Sequence, residues 1–123
     1  MNAPKAKMTT LESLEVAQRE FDAGNYIESS RILWQATRAT YRMLAKAHGL
    51  DPSNLSAVAR ALDKKYDSRY HYLGYLNSGE LLGDHAQMDV LEFYDLEYPH
   101  EDLPPFIRKC YHKFSPNDTS QQR

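Results

Sequence analysis

Apolar residues recur at intervals of three and four from about residue 9 to residue 114, the spacing of one face of an α-helix. The valine and isoleucine alternation that marks strands is absent. The first periodic stretch opens at Thr9, where Thr9-x-x-Glu12 fits a capping box; Leu11, Leu14, Ala17 and Phe21 form its stripe and Gly24 ends it. A second helix is predicted from about 25 to 48, stopped by Gly49. Asp51-Pro52 restarts the chain, with Pro52 suited to the first helical position of a third helix over roughly 53–66. Leu55, Val58, Ala59, Leu62 and Tyr66 are its inward positions.

Glycines at 74, 79 and 83 predict a weak or broken helix over 70–83, then a firmer one over about 80–98 that Pro99 closes. Leu103-Pro104-Pro105 introduces a last helix, about 104–114, with Phe106, Ile107, Cys110, Tyr111 and Phe114. The expected fold is therefore all-α, an up-and-down bundle of five to six helices in one domain over 9–114. Residues 1–8 and 115–123 are polar and aperiodic, so disordered ends are expected there.

The second helix has the most informative pattern. Projected at 100° per residue, Ile27, Leu33, Trp34, Thr37, Tyr41, Leu44 and His48 fall on one broad face, and Ile32, Ala36, Ala39, Met43 and Ala47 on another. Between them runs a narrow band of Arg31, Gln35, Arg38, Arg42 and Lys46. A helix that is apolar on two sides has neighbours on two sides. It is the middle of a bundle, or its alanine-rich face is the seam of a homodimer.

Charge sharpens the reading of that band. Residues 1–65 carry ten cations against seven anions, 66–104 one against nine, and 105–123 four against one, for a net charge of −2. The plain reading of the band is a solvated face whose long stems shield the core. The charge asymmetry instead suggests that it meets the acidic region around Glu80, Asp84, Glu92 and Asp95, within one chain or across a dimer. An RNA groove is a further reading, although the band lacks the interleaved exposed aromatics that stack on single strands. No apolar run approaches the roughly 18 residues of a membrane span. The start lacks the apolar segment of a secretory signal, and Cys110 stands alone, so a reducing cytoplasm is expected and no disulfide or four-cysteine zinc site.

Gly24-Asn25-Tyr26, followed by Ser29, Trp34 and Ala36, is similar to a tetratricopeptide repeat, but no second Gly-x-Tyr follows about 34 residues on, as a solenoid requires. The same residues with Ser29-Ser30, Leu33-Trp34-Gln35-Ala36 and Leu44-Ala45-Lys46-Ala47-His48-Gly49 resemble the HEPN superfamily of helical domains, in particular its prokaryotic PaREP-type branch. A later block of that branch is partly met by 83–89, and the resemblance spans about 10–114. It implies an up-and-down bundle, often a symmetric homodimer, and permits a role as helical partner in a nucleotidyltransferase or toxin–antitoxin system.

HEPN ribonucleases use an Arg-x4-6-His pair, and Arg42-x5-His48 matches that spacing. With eight arginines and five histidines, about one such match arises by chance, and the two residues project about 120° apart on the helix. A metal-independent endoribonuclease using Arg42 and His48 is thus the runner-up to a non-catalytic, homodimeric interaction module with no cofactor and no metal. His48 alternatively stabilises the end of its helix through the dipole. A third reading is a nucleotide or small-ligand bundle. His85 and Asp89 are spaced to meet on one helix face, and with His71 or Glu92 to share a proton or a metal; the plain reading is a hydrogen-bonded structural pair. Tyr70 and Tyr72, with Tyr66 and Tyr75, offer planar surface for a ligand, or ordinary amphipathic packing. Cys110, next to Lys109, lacks an evident base, and no glycine-rich phosphate loop is present.

Overall fold

The computed structural model describes residues 8–69, 71–89 and 92–114. The ends expected to be disordered lie, apart from Met8, outside the described residues, as does Tyr70. Five helices make up the described chain: α1 (Thr10–Asp22), α2 (Tyr26–Ala47), α3 (Leu55–Lys65), α4 (His71–Met88) and α5 (Phe93–Phe114). No strand occurs among the described residues. No helix is long and apolar enough to cross a membrane among them.

The first two helices follow the pattern closely. Thr9 caps α1 with the full reciprocal box: its hydroxyl accepts from the Glu12 N–H at 3.1 Å, and its own N–H donates to the Glu12 carboxylate at 2.8 Å. Gly24 turns the chain at φ 85°, and Gly49 ends the α2 exit at φ 68°, both left-handed conformations that favour glycine. α3 starts later than the sequence suggests. Asn54, not Pro52, organises its first turn, with the Asn54 side chain accepting from the Ala57 N–H at 3.1 Å.

The second half departs further from expectation. α4 is one unbroken helix from His71 to Met88, and the break falls between it and α5, where Asp89 leaves the helix at φ 52°. α5 then runs through Pro99, Pro104 and Pro105 without ending. Each interior proline removes one backbone hydrogen bond and costs about 3 kcal/mol. Tertiary burial outweighs that cost, because Leu96, His100, Leu103, Phe106, Ile107 and Cys110 form one buried stripe along α5. The separate helices predicted over 80–98 and 104–114 are therefore replaced by α4 and a single α5.

α2 is the central element and packs against all four other helices. Ile32 and Ala36 on one flank are buried, as are Leu33, Thr37, Tyr41 and Leu44 on the other. This burial is complete within a single chain. On the alanine-rich flank, Ile32 and Ala36 are thus covered by the chain's own helices. The expected faces are trimmed at their edges: Ile27 and Ala47 are exposed, and Ala39 and Met43 are only half-buried.

Glycines explain how α4 reaches α2. A Cβ on Gly79 would stand 2.8 Å from Thr37 Cγ2 and 2.9 Å from Trp34 Cε3; one on Gly83 would stand 2.6 Å from Trp34 Cδ1. The Trp34 ring lies directly on these two positions. Residues that look like helix breakers in the sequence are thus the seat of an indole. The order of contacts, Trp34 with Gly83, Thr37 with Gly79 and Tyr41 with Tyr72, runs α2 and α4 antiparallel.

Candidate functional site

Packed antiparallel in this way, α2 and α4 leave a shared outward face. On α2 it carries Arg31, Gln35, Arg42 and Lys46, all exposed, with Arg38 half-buried. The Arg38 guanidinium lies 5.8 Å from the centre of the Trp34 ring, a cation–π contact that holds it at the boundary between the helices. Across Trp34, Glu80, Gly83, Asp84 and Gln87 of α4 line a shallow hollow. Leu81 and Met88, one heptad apart on α4, are 50% and 61% exposed on the side of the helix turned away from Gly79 and Gly83.

The cationic stripe thus comes up to the acidic edge at Arg38, across Trp34 from Glu80 and Asp84. Among the described residues they form no ion pair with each other. Arg31 instead binds Glu28 on its own helix, its Nε donating to Glu28 Oε1 at 3.0 Å. The Arg31 hydrogen bond holds the Glu28 carboxyl below its usual pKa, although both groups are exposed and the pair adds little stability. The expected meeting of the band with Glu80 and Asp84 does not take place within one chain. Glu92 lies in a different cleft, together with Glu20, Glu28, His85 and Asp89.

Arg42 and His48 are not hydrogen-bonded to each other. Arg42 points outward with the stripe, whereas His48 is committed on both ring nitrogens. Its Nδ1 lies 2.8 Å from the Leu44 carbonyl, which can only accept, so Nδ1 carries the proton. Nε2 then accepts from the Tyr66 hydroxyl at 2.7 Å. The ring also packs edge-on against Phe114, with centroids 4.8 Å apart. His48 fastens the end of α2 to α3 and α5.

Tyr72 is buried, and its carbonyl accepts a hydrogen bond from the Tyr41 hydroxyl. His85 is buried at 2% exposure, with Nε2 3.7 Å from the Asp89 carboxylate, longer than a hydrogen bond. His71 begins α4 and His85 lies near its end, so the set of His71, His85 and Asp89 is not brought together. Among the described residues no three His, Cys, Asp or Glu side chains gather as a metal would require. Cys110 is buried, and burial pushes its thiol up to about 12, which makes it a poor nucleophile.

Two polar positions that the pattern does not single out are structurally important. Asp63, at the end of α3, accepts from the Tyr72 N–H at 2.8 Å, the Leu73 N–H at 3.1 Å and the Ser68 hydroxyl at 2.7 Å, and so caps the start of α4 from another helix. Burial raises its pKa, but these hydrogen bonds outweigh it and leave the carboxyl below its ordinary value. His100 is buried in α5 and stacks on Phe21 with centroids 4.2 Å apart. Its Nδ1 donates to the Leu96 carbonyl at 2.9 Å, so Nε2 accepts from the Ser29 hydroxyl at 3.0 Å. The Tyr26 carbonyl, 3.1 Å from the same hydroxyl, competes for that proton.

Burial lowers the His100 pKa, the Leu96 carbonyl partly opposes this, and nearby His85 adds to the lowering. A folded-state pKa below the unfolded one means that the unfolded chain binds the proton more readily. The stability held by neutral His100 is therefore complete above about pH 6.5 and is lost as pH falls below it. Thermal melting between pH 7.5 and 5 should show a falling Tm with the native residue and a flatter profile with His100→Gln. Equal slopes would remove this assignment.

No family model, curated protein or solved structure matches the chain. What the site can do rests on its own geometry.

Proposed function

We propose that this chain is a non-catalytic helical interaction module that forms a homodimer through the joint face of α2 and α4. The observation that carries the reading is that the cationic stripe of Arg31, Arg38, Arg42 and Lys46 comes, at Arg38, across Trp34 from Glu80 and Asp84, with no ion pair between stripe and acidic edge among the described residues. A two-fold axis through Trp34 lays the stripe of one copy on the acidic edge of the other, twice over. Such a patch is self-complementary, as an isologous interface must be. The uncovered part of Trp34 supplies apolar area that charge pairs alone lack. The acids beside the stripe oppose a nucleic-acid phosphate backbone, which favours a protein partner over RNA.

The HEPN resemblance and an up-and-down order of the helices belong to the same reading, since that superfamily often assembles as symmetric dimers. On this view a nucleotidyltransferase or toxin–antitoxin partner would meet the dimer and not the isolated chain. The endoribonuclease alternative loses support from the engagement of both His48 nitrogens.

Light scattering on the eluting protein tests the proposal. At low ionic strength the mass should be twice the 14.2 kDa of one chain, and it should fall towards a single chain as salt screens the paired charges. A monomer at every salt concentration and at micromolar protein would refute the assembly role.

A further inference from the structure

At the opposite end of α4 from the acidic cleft, α3, α4 and α5 enclose a second hollow of about 370 Å³. Its walls are the rings of Tyr66, His71, Tyr72, Phe106 and Phe114, and its rim carries Lys109 and Lys113. The two lysines are one turn apart on α5 and so flank the same opening. The Lys113 ammonium stands 5.4 Å from the centre of the Tyr66 ring and 5.3 Å from that of Phe114. Lys65 approaches Tyr66 at 5.9 Å and adds a third positive charge nearby. None of these ammonium groups is within ion-pair distance of a carboxylate among the described residues. Asp63, half-buried at the end of α3, directs its carboxylate to the start of α4.

We infer that this hollow binds a small planar aromatic anion, with the ring against the aromatic wall and the negative group at Lys109 and Lys113. Three features carry the inference. The volume lies at the lower end of the range of about 300–1,000 Å³ that holds small molecules, enough for one or two fused rings. The walls are apolar and aromatic while the polar groups are few and convergent, which is the usual composition of such a site. The wall is also fixed before any ligand arrives: the Tyr66 hydroxyl is tied to His48 at 2.7 Å, and Tyr72 and Phe106 pack against each other with centroids 5.9 Å apart. A pre-ordered wall reduces the entropy lost on binding. The Ser68 hydroxyl is already spent on Asp63, so the charge-bearing contact falls to the lysines.

The test is titration of the full chain, followed by calorimetry and by NMR shifts of the Tyr66, Phe106 and Phe114 rings. The probes are 2-naphthoate, phenyl phosphate and the neutral 2-naphthylmethanol. Saturable shifts at these rings are expected with at least one of the two anions, and the stronger of them identifies a carboxylate or a phosphate as the preferred group. Both lysines are exposed, so Lys109→Ala/Lys113→Ala should fold normally by circular dichroism. It should bind the anion at least about tenfold more weakly, the loss expected for charge-assisted hydrogen bonds. Absence of saturation by either anion, equal binding of the neutral alcohol, or undiminished binding by the double variant would each overturn the inference. Because the hollow lies away from the α2–α4 face, the outcome is independent of the oligomeric state.

Discussion

Tyr41→Ala is expected to cost about 3–5 kcal/mol of stability, enough to unfold much of the population of a domain of ordinary stability. Tyr41 is fully buried in the middle of α2, its ring 6.0 Å from that of Phe106 and its hydroxyl bonded to the Tyr72 carbonyl. One side chain thus joins α2, α4 and α5, and burial drives its phenol pKa upward so that it remains neutral at any ordinary pH. Tyr41→Phe should separate the two contributions. It keeps the ring and removes only the hydroxyl's bond to the Tyr72 carbonyl, a loss of about 0.5–1.5 kcal/mol. Chemical denaturation of both variants decides the matter. A Tyr41→Ala protein that unfolds within about 1 kcal/mol of the native one would mean that α2 is not enclosed.

Two glycines of the same helix should respond to alanine in opposite directions. At Gly79 a new Cβ meets the buried Thr37 methyl at 2.8 Å and the Trp34 ring at 2.9 Å. Overpacking of that kind costs about 1–3 kcal/mol, and the tight walls put it near the upper end. The better helix propensity of alanine returns about 1 kcal/mol, so a net loss of about 2 kcal/mol is expected. At Gly74 no atom lies within 4 Å of the added Cβ, so only the propensity gain remains and Tm should rise by several degrees. Trp34 is the single tryptophan, so its emission reports directly whether the indole is displaced by Gly79→Ala. A destabilised Gly74→Ala and a neutral Gly79→Ala would invalidate the close α2–α4 approach.

These two helices also show which features the sequence alone makes readable. α1, α2 and α3 carry their signals locally: a capping box, a long two-sided period, and glycines at 24 and 49 that take left-handed φ. Those signals depend only on neighbours within a turn or two. The role of Gly79 and Gly83 depends on Trp34, far away in the chain, so a rule that counts glycines against a helix misreads them. The prolines of α5 mislead in the same way, because the energy that keeps them helical comes from Leu96, His100, Leu103 and Ile107 packing on other helices. Asp63 likewise caps a helix it does not belong to.

The functional candidates divide along the same line. The cationic stripe was legible because it is a property of one helix, and Arg31, Arg42 and Lys46 are exposed where the projection places them. The motif Arg42-x5-His48 and the pair His85 and Asp89 are also local, but spacing cannot report that His48 is bonded to Tyr66 or that His85 is buried. The aromatic hollow combines residues from three helices and has no linear signature.

The central claim is that an enclosed α2 leaves its cationic stripe as an assembly face for the acidic edge of α4 in a second copy. Charge reversal tests it most directly. Arg38→Glu/Arg42→Glu and Glu80→Lys/Asp84→Lys are made as two separate proteins, and sedimentation velocity measures each alone and the two mixed. The account predicts that each variant alone is monomeric and that the mixture forms a dimer containing one of each, since only the unlike pair restores opposite charges across the axis. Two variants that each dimerise as well as the native chain, or a mixture that stays monomeric while the native chain dimerises, would contradict it.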